Sequence, residues 1–299
     1  MSRTLPPRVV VITRPTDYEG LLLRHATREQ ARFVVEGRGG SFTDVEARHA
    51  ITVRAVHLAQ AAVPRAWRRA RVGRADLDRF LFGPEDVVVA VGQDGLVANV
   101  AKYLVGQPVI GVNPSRELFD GLLVRHPPEA IADLLDAAAA GRARVEERSM
   151  VEARSSDGQT LRALNELYVG HRTHQSSRYV LGFGGREERH SSSGLIVATG
   201  TGATGWAKSV ARARVGAPSL PTPAAPELAF FVREAWPSVR TGTSLTDGVI
   251  PSGQALEVTS EMNDGGVAFG DGIEDDHLEL PYGLRLRLLR AEIGLRLVV

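Results

Sequence analysis

Apolar positions in the first third of the chain fall into short unbroken runs, separated by stretches in which they recur at helical spacing. Val9-Val10-Val11-Ile12 and Val87-Val88-Val89-Ala90-Val91 are β-branched runs bounded by turn residues, the pattern of strands buried on both faces. A helical stretch over 96–104 and a second apolar run, Pro108-Val109-Ile110-Gly111-Val112-Asn113, follow the second of them. Thr27-Arg28-Glu29-Gln30 and Thr43-Asp44-Val45-Glu46 fit the capping-box pattern, in which a hydroxyl and a later Glu or Gln satisfy orphan amides. The second box predicts a long helix over 44–63, with Val45, Ala50, Val53, Val56 and Ala59 near helical spacing and Pro64 as its stop. A strand near Ala70 and a short helix over 75–80 complete an alternation of strand and helix that predicts a doubly wound, mostly parallel sheet.

The pattern changes at Pro127. One helix is expected over 129–140, with Ile131, Leu134 and Leu135 on one face. Beyond Gly141 come short strand candidates at 143–153, 159–170, 178–184, 194–199, 256–260 and 267–269, separated by Gly, Ser and Asp turns. This predicts an all-β antiparallel domain. The proline-rich stretch 218–226 reads as a loop, and 284–299 as a late alternating run able to close either domain. The division expected is an α/β nucleotide-binding domain over 1–125, a β-rich domain over 126–283, and a final segment over 284–299.

Composition removes whole classes of chemistry. The chain has 299 residues, no cysteine, eight dispersed histidines and a net charge of +1. Disulfides, thiolate metal sites, cysteine nucleophiles and iron–sulfur clusters are therefore excluded, and His171 and His174, the only close pair, lack the spacing of a metal site. Lysine occurs only at 102 and 208, so nearly all the basic residues are arginines, mostly scattered. Such a surface does not predict nucleic acid as a partner; the densest cluster, Arg65, Arg68, Arg69, Arg71 and Arg74, reads as an exposed helix or edge. No apolar run approaches the roughly 20 residues of a membrane span. The early first strand leaves no room for a targeting peptide, so the cytoplasm is the expected compartment.

Candidate chemistry lies at the ends of the predicted strands. Gly92-Gln93-Asp94-Gly95 follows a buried strand and opens a helix, which places Asp94 at a carboxyl end, where open α/β sheets bind ligands. Glycine there lets amides approach phosphate oxygens, and a carboxylate can accept a proton from a hydroxyl. Asn165-Glu166 sets an amide beside a carboxylate in a strand pattern; neighbours on a strand face opposite ways, so both meet one ligand only at a strand end or bend. A third segment runs from Ser192-Ser193-Gly194-Leu195 through an apolar strand into Thr199-Gly200-Thr201-Gly202-Ala203-Thr204-Gly205-Trp206, and Asp271-Gly272 forms a late acidic turn. Each alone reads as an ordinary turn; their order is the signal.

In that order the segments resemble the ATP-dependent NAD kinase family, with its Gly-Gly-Asp-Gly turn, Asn-Glu pair and Gly-Leu…Thr-x-Thr-Gly segment, and are most similar to its mitochondrial-type branch. The resemblance runs from the first strand to Asp271-Gly272. It implies an α/β domain, a C-terminal β domain that binds NAD, and a last segment, 284–299, returning to the first domain. It further implies transfer of the γ-phosphoryl of ATP to the 2′-hydroxyl of the adenosine ribose of NAD, with Mg²⁺ arriving on ATP, and self-association as a dimer or tetramer. Asp94 would activate that hydroxyl, while Gly92, Gln93, Gly95 and Leu96 would form the phosphate-binding turn. Asn165 and Glu166 would hold the ribose and diphosphate; Thr199, Thr201, Gly202, Thr204, Gly205 and Trp206 would hold the adenine part of NAD. No P-loop motif is present, so that route to phosphoryl transfer is excluded.

Three departures from the family pattern stand out. Gln93 replaces a glycine, Leu96 replaces a threonine, and Trp206 replaces a tyrosine, the last as in the mitochondrial-type branch. If position 93 requires left-handed backbone, a side chain there costs about 1–2 kcal/mol. Two alternatives stay open on these residues: a non-catalytic homologue that binds NAD or NADP but not ATP, and a kinase of another NAD-like acceptor.

Overall fold

A computed structural model describes residues 6–299. They form two units, one comprising the chain up to Glu146 with Arg296–Val299, the other Glu147–Leu295. The first contains β1 (Arg8–Thr13), α1 (Asp17–His25), α2 (Arg28–Gly37), α3 (Phe42–Ala61), β2 (Arg68–Gly73), β3 (Asp86–Val91), α4 (Asp94–Ala101), β4 (Pro108–Val112) and α5 (Ile131–Ala139). Strand β5 (Val145–Arg148) spans the change of unit. The second unit carries β6 (Val151–Ser155), β7 (Thr160–Ala163), β8 (Glu166–His171), β9 (Ser177–Phe183), β10 (Arg186–Ser192), β11 (Leu195–Ala198) and α6 (Trp206–Arg212). After them come β12 (Leu228–Val232), β13 (Asp247–Ile250), β14 (Ala255–Ser260), β15 (Gly266–Gly270), β16 (Ile273–Glu279) and β17 (Arg285–Arg290), and the chain closes with β18 (Leu295–Val298).

The first sheet has the order β2-β1-β3-β4-β18-β5, and its neighbours from β2 to β18 run parallel. The long apolar runs form its centre: every residue of β3 is buried, as are residues 9–13 of β1. Residues of α3 (Ala55, Val56, Ala59) and α5 (Ile131, Leu135, Ala138) share one core with Val9, Val11, Val87 and Val89. The apolar face of α5 therefore ties it to the first sheet, beyond the boundary at 125 that the change of pattern suggested. The first three helices start at side-chain caps. Thr16 and Glu19 form a reciprocal capping box on α1, Thr27 accepts from the Gln30 amide, and Ser41 from the Asp44 amide. The cap of α3 is thus Ser41, and Thr43 sits inside its first turn. The arginine-rich stretch supplies β2, at the sheet's edge, with Arg68, Arg69 and Arg71 exposed.

The second unit is antiparallel, with sheets ordered β10-β9-β14-β17-β6-β7 and β13-β12-β11-β8-β15-β16. Alternate residues of both, among them Tyr179, Leu181, Leu256 and Leu288 from one and Leu167, Val197 and Phe230 from the other, share one core. On the far face of the second sheet, Ile196, Ala198, Ala229 and Phe231 pack with Ala207 of α6. The candidate strands 143–153 and 159–170 are each divided, into β5 and β6 and into β7 and β8. The late run 284–299 is divided as well. Strand β17 pairs with β14 and β6, while β18 aligns Arg296 with Pro108 in β4.

Segment 121–126 crosses the end of β4 at close range. A Cβ on Gly111 would lie 2.0 Å from the Leu123 carbonyl oxygen and 2.9 Å from the Val124 Cα, so only glycine allows this approach. Gly111→Ala is expected to lower stability by about 1–3 kcal/mol through overpacking. A urea midpoint indistinguishable from the wild type would show that the crossing is looser than described.

Candidate functional site

In the first unit, β3 ends at Val91 and the chain turns through Gly92, whose φ of 155° lies at the edge of the region that favours glycine. The Gly92 amide donates to the Val112 carbonyl at 3.0 Å, which ties the turn to the end of β4. Gln93 is the N-cap of α4 with φ −99° and ψ 164°, ordinary extended backbone. No left-handed geometry is required of it, so the expected strain at 93 does not arise. Its side chain is exposed, and the carboxamide oxygen accepts from Arg14 Nη1 at 3.5 Å. Gly95 is exposed with open space around its Cα, whereas Leu96 is 1% exposed and packs beneath Gly92 in the core. A hydroxyl at 96 would be buried, so of the turn residues 92, 93, 95 and 96 Gln93 alone presents a side chain at the surface.

Asp94 opens α4, where the helix dipole favours a negative charge. Its carboxylate accepts three main-chain amides: Leu122 on Oδ2 at 2.9 Å, and Leu123 and Val124 on Oδ1 at 2.8 and 2.9 Å. A carboxylate offers about four acceptor positions. Oδ2 therefore retains room for one further donor. The held segment is fastened again by Asn113, which donates from Nδ2 to the Phe119 carbonyl at 3.0 Å.

In the second unit the Asn165-Glu166 pair sits at the break between β7 and β8, the strand end that lets neighbouring side chains reach one ligand. Asp271, in left-handed backbone with φ 54°, holds this turn. Its carboxylate accepts the amides of Leu164 on Oδ2 at 2.8 Å, and of Asn165 and Glu166 on Oδ1 at 2.7 and 3.4 Å. Thr199 holds the other side. Its amide donates to the Asn165 carbonyl at 2.9 Å and its hydroxyl to the Leu164 carbonyl at 2.5 Å. A Cβ on Gly202 would lie 2.1 Å from the Asn165 oxygen, so Gly202 is required by packing. The backbone of the pair is fixed, and among the described residues the Asn165 side-chain carboxamide and the Glu166 carboxyl group have no hydrogen-bond partner. Burial, aided by the charge of Asp271, pushes the Glu166 carboxyl up to about 7.

The residues from 199 to 206 divide into two kinds. Thr199 is fully buried and structural, its oxygen also accepting the amides of Thr201 and Gly202 at 3.1 and 3.3 Å. The Thr201 hydroxyl is buried without a partner, and Thr204 donates to the Thr201 carbonyl at 2.9 Å. Gly205 leads into α6, and Trp206 is 37% exposed. The indole stacks on Tyr168 with centroids 6.3 Å apart and planes 15° apart, and the Arg233 guanidinium lies 5.2 Å from the Trp206 ring centre. Space for Tyr168 comes from Gly194, where a Cβ would meet the ring at 2.4 Å. Sequence reasoning singled out the Asp271-Gly272 turn without its role as a clamp. Tyr168 and Arg233 it missed altogether, and nothing in their local pattern distinguishes them. Among the described residues no three His, Asp or Glu side chains converge as a metal site, and no helix is long and apolar enough to cross a membrane.

No family model matches the chain. It is 36% identical over 132 residues to the NAD kinase of Methylococcus capsulatus, covering 42% of this chain and 44% of that protein. Identity to the NAD kinase of Heliobacterium modesticaldum is 33% over 183 residues, covering 58% and 59%. Human mitochondrial NAD kinase 2 is 28% identical over 258 residues, covering 69% of this chain and 58% of that one. The chain thus spans about half the length of the curated relatives it matches. Among solved structures it is similar to yeast NADH kinase complexed with NADH (TM-score 0.59, 15% identity, 99% of this chain and 84% of that one). It is also similar to an NAD kinase from Archaeoglobus fulgidus in complex with ATP (TM-score 0.57, 21% identity, 98% and 93%). The fold is that of the NAD kinases.

Two outcomes check this geometry. Asp94→Ala is expected to abolish the hydrogen-exchange protection of the Leu122, Leu123 and Val124 amides while the centre of the first sheet stays protected; unaltered exchange would remove Asp94 as the clamp. Between about pH 4.5 and 7 folded Glu166 keeps a proton that the unfolded chain has lost, so stability falls as pH rises through this window. Glu166→Gln should lack that fall, and thermal melts at pH 5 and pH 8 with the same difference in both proteins would contradict the shift.

Proposed function

We propose that this chain, built on the NAD kinase fold, is an NAD kinase that transfers the γ-phosphoryl group of ATP to the 2′-hydroxyl of the adenosine ribose of NAD. The observation that carries the reading is the Asn165-Glu166 turn. Its backbone is fixed by Asp271 and Thr199 while both its polar side chains are left without a partner, as a polar ligand site requires. The relatives named NAD kinase support the same reading.

In the reaction the 2′-oxygen bonds to the γ-phosphorus as the bond from that phosphorus to the β–γ bridging oxygen breaks, and ADP leaves. Asp94 takes the hydroxyl proton on Oδ2, the oxygen that accepts only one amide. The three amides hold the carboxylate in one orientation, so no reorganisation precedes proton transfer. Asn165 and Glu166 bind the ribose and diphosphate of NAD, Thr201 and Thr204 the adenine edge, and the half-exposed face of Trp206 stacks with it. Mg²⁺ would arrive on the phosphates of ATP and neutralise their charge. The reading includes a cytoplasmic location and self-association, for which the exposed Leu23 and Phe33 side chains offer apolar surface.

The test is NADP formation from NAD and Mg-ATP by the purified protein. Asp94→Asn is expected to lower kcat by about 10²–10⁴-fold, with NAD affinity held within about tenfold. Wild-type protein that binds NAD and forms no NADP would establish the non-catalytic alternative.

A further inference from the structure

A helical hairpin on the surface of the first unit belongs to none of the motifs. Between β1 and α3 the chain forms α1 and α2, of nine and ten residues. Helices this short are marginal alone in water and draw their stability from packing an apolar face. The inner side of the hairpin rests on α3. The Tyr18 ring lies 5.9 Å from that of Phe42 and 4.7 Å from that of His49, and Arg28 donates to both carboxylate oxygens of Glu46 at 2.7 and 2.8 Å. Even so, α1 buries none of its residues and α2 buries Ala31 alone. On the outer side Leu23 is 91% exposed and Phe33 79%.

Asp17, Leu23 and Arg24 stand three or four positions from Gly20, so the four residues share one face of α1. Asp17, Leu23 and Arg24 are all exposed. A Cβ on Gly20 would meet nothing within 4 Å, and its φ is not positive. Nothing inside the chain therefore requires a glycine there, although glycine weakens a helix relative to alanine. A glycine in the middle of an open face does allow a second helix to approach closely, since interaxial distance is set by the side chains at the crossing.

Charge identifies what approaches. The first turn of α1 holds Asp17 and the last turn Arg24 and His25, and among the described residues neither Asp17 nor Arg24 has an ion-pair partner. Glu19, by contrast, is committed to the Thr16 amide and hydroxyl at 2.7 and 3.0 Å. At 1.5 Å per residue Asp17 lies about 4.5 Å before Gly20 and Arg24 about 6 Å after it. Two copies of α1 crossing antiparallel at Gly20 thus bring the acidic end of each to the basic end of the other, within reach of an arginine side chain. A two-fold axis makes such a contact self-complementary. The hairpin also carries Glu29 and Glu36 beside Arg28 and Arg32, a mixed surface unsuited to an anionic lipid layer.

We propose that the α1–α2 hairpin is an interface with a second copy of this chain. The two α1 helices cross antiparallel at Gly20, Leu23 and Phe33 are covered, and Asp17 of each copy pairs with Arg24 of the partner subunit. The proposal rests on the kinase reading for self-association alone, and not for the activity.

Sedimentation velocity over a concentration series tests it on the full-length wild type, Leu23→Glu, Asp17→Arg, Arg24→Asp and the control Leu81→Glu, which alters an apolar residue exposed elsewhere in the unit. The axis counts each ion pair twice, so one reversal turns two attractions into two repulsions. Leu23→Glu and both reversals are expected to weaken association at least tenfold, taking a dimer to monomer or a tetramer to dimer, with unaltered circular dichroism. Leu81→Glu should stay within twofold of the wild type. An equimolar mixture of Asp17→Arg and Arg24→Asp should associate again, because each pair then joins opposite charges. A wild type still monomeric at about 100 µM, where an interface of ordinary size is filled, would overturn the proposal. So would association unchanged in the three variants, or reversals that weaken it without recovery in the mixture. The two readings fail separately. A monomer that forms NADP keeps the kinase and removes the interface; association that depends on Asp17 and Arg24 without NADP formation keeps the interface and removes the kinase.

Discussion

One carboxylate accepting three consecutive main-chain amides is the interaction on which both candidate segments depend, and it occurs once in each unit. Asp94 receives the amides of residues 122–124, and Asp271 those of 164–166, in each case one on Oδ2 and two on Oδ1. Three adjacent amides that converge on one carboxylate are not paired by a sheet or helix ladder there, and each left unpaired in a partly buried place would cost about 1–3 kcal/mol. A charged acceptor meets all three at once and shapes an irregular segment into a fixed one. The neighbouring glycines follow from this. Gly111 must lack a side chain because residues 123 and 124 are drawn down onto β4, and Gly202 because the Asn165 carbonyl is held against it.

Fixing the backbone leaves the side chains uncommitted. In the second unit the main chain of Asn165 is committed on both its amide and its carbonyl, so the side chains of Asn165 and Glu166 carry no structural duty. The cost is visible at Glu166, whose carboxyl holds its proton up to about 7 because burial and the Asp271 charge both oppose ionisation. A polar ligand offering hydroxyl donors would relieve that penalty, which gives binding a source of free energy absent from an ordinary surface carboxylate.

The altered glycine turn has a similar logic. Extended backbone at Gln93 accommodates a side chain without strain, and the unusual φ falls on Gly92. Leu96, in place of a hydroxyl residue, anchors the first turn of α4 in the core. Two arginines stand beside this turn, Arg14 after the end of β1 and Arg48 on α3. At Trp206 the aromatic ring is kept, stacked on Tyr168 with the Arg233 guanidinium 5.2 Å from its centre, an arrangement that does not need a phenol.

Local pattern carried a large part of this protein. The β-branched runs determined β1, β3 and β4 as buried parallel strands, Thr16, Thr27 and Ser41 are hydroxyl residues of the kind that caps a helix, and the order of Gly92-Gln93-Asp94, Asn165-Glu166 and residues 199–206 was enough to name the family it resembles. Periodicity reports which face of an element is buried, and not against what. Strand β10, Arg186-Glu187-Glu188-Arg189-His190-Ser191-Ser192, has almost no apolar residue and is a strand because it pairs along its whole length with β9. The unit to which α5 belongs and the division of the last run between β17 and β18 were likewise decided by packing between distant segments. The two clamps show the limit most directly. Asp94 finds its amides 28–30 residues away and Asp271 finds its own 105–107 away, and a contact of that span leaves no periodic trace in either partner. The sequence singled out both carboxylates; only the folded chain decided what they hold.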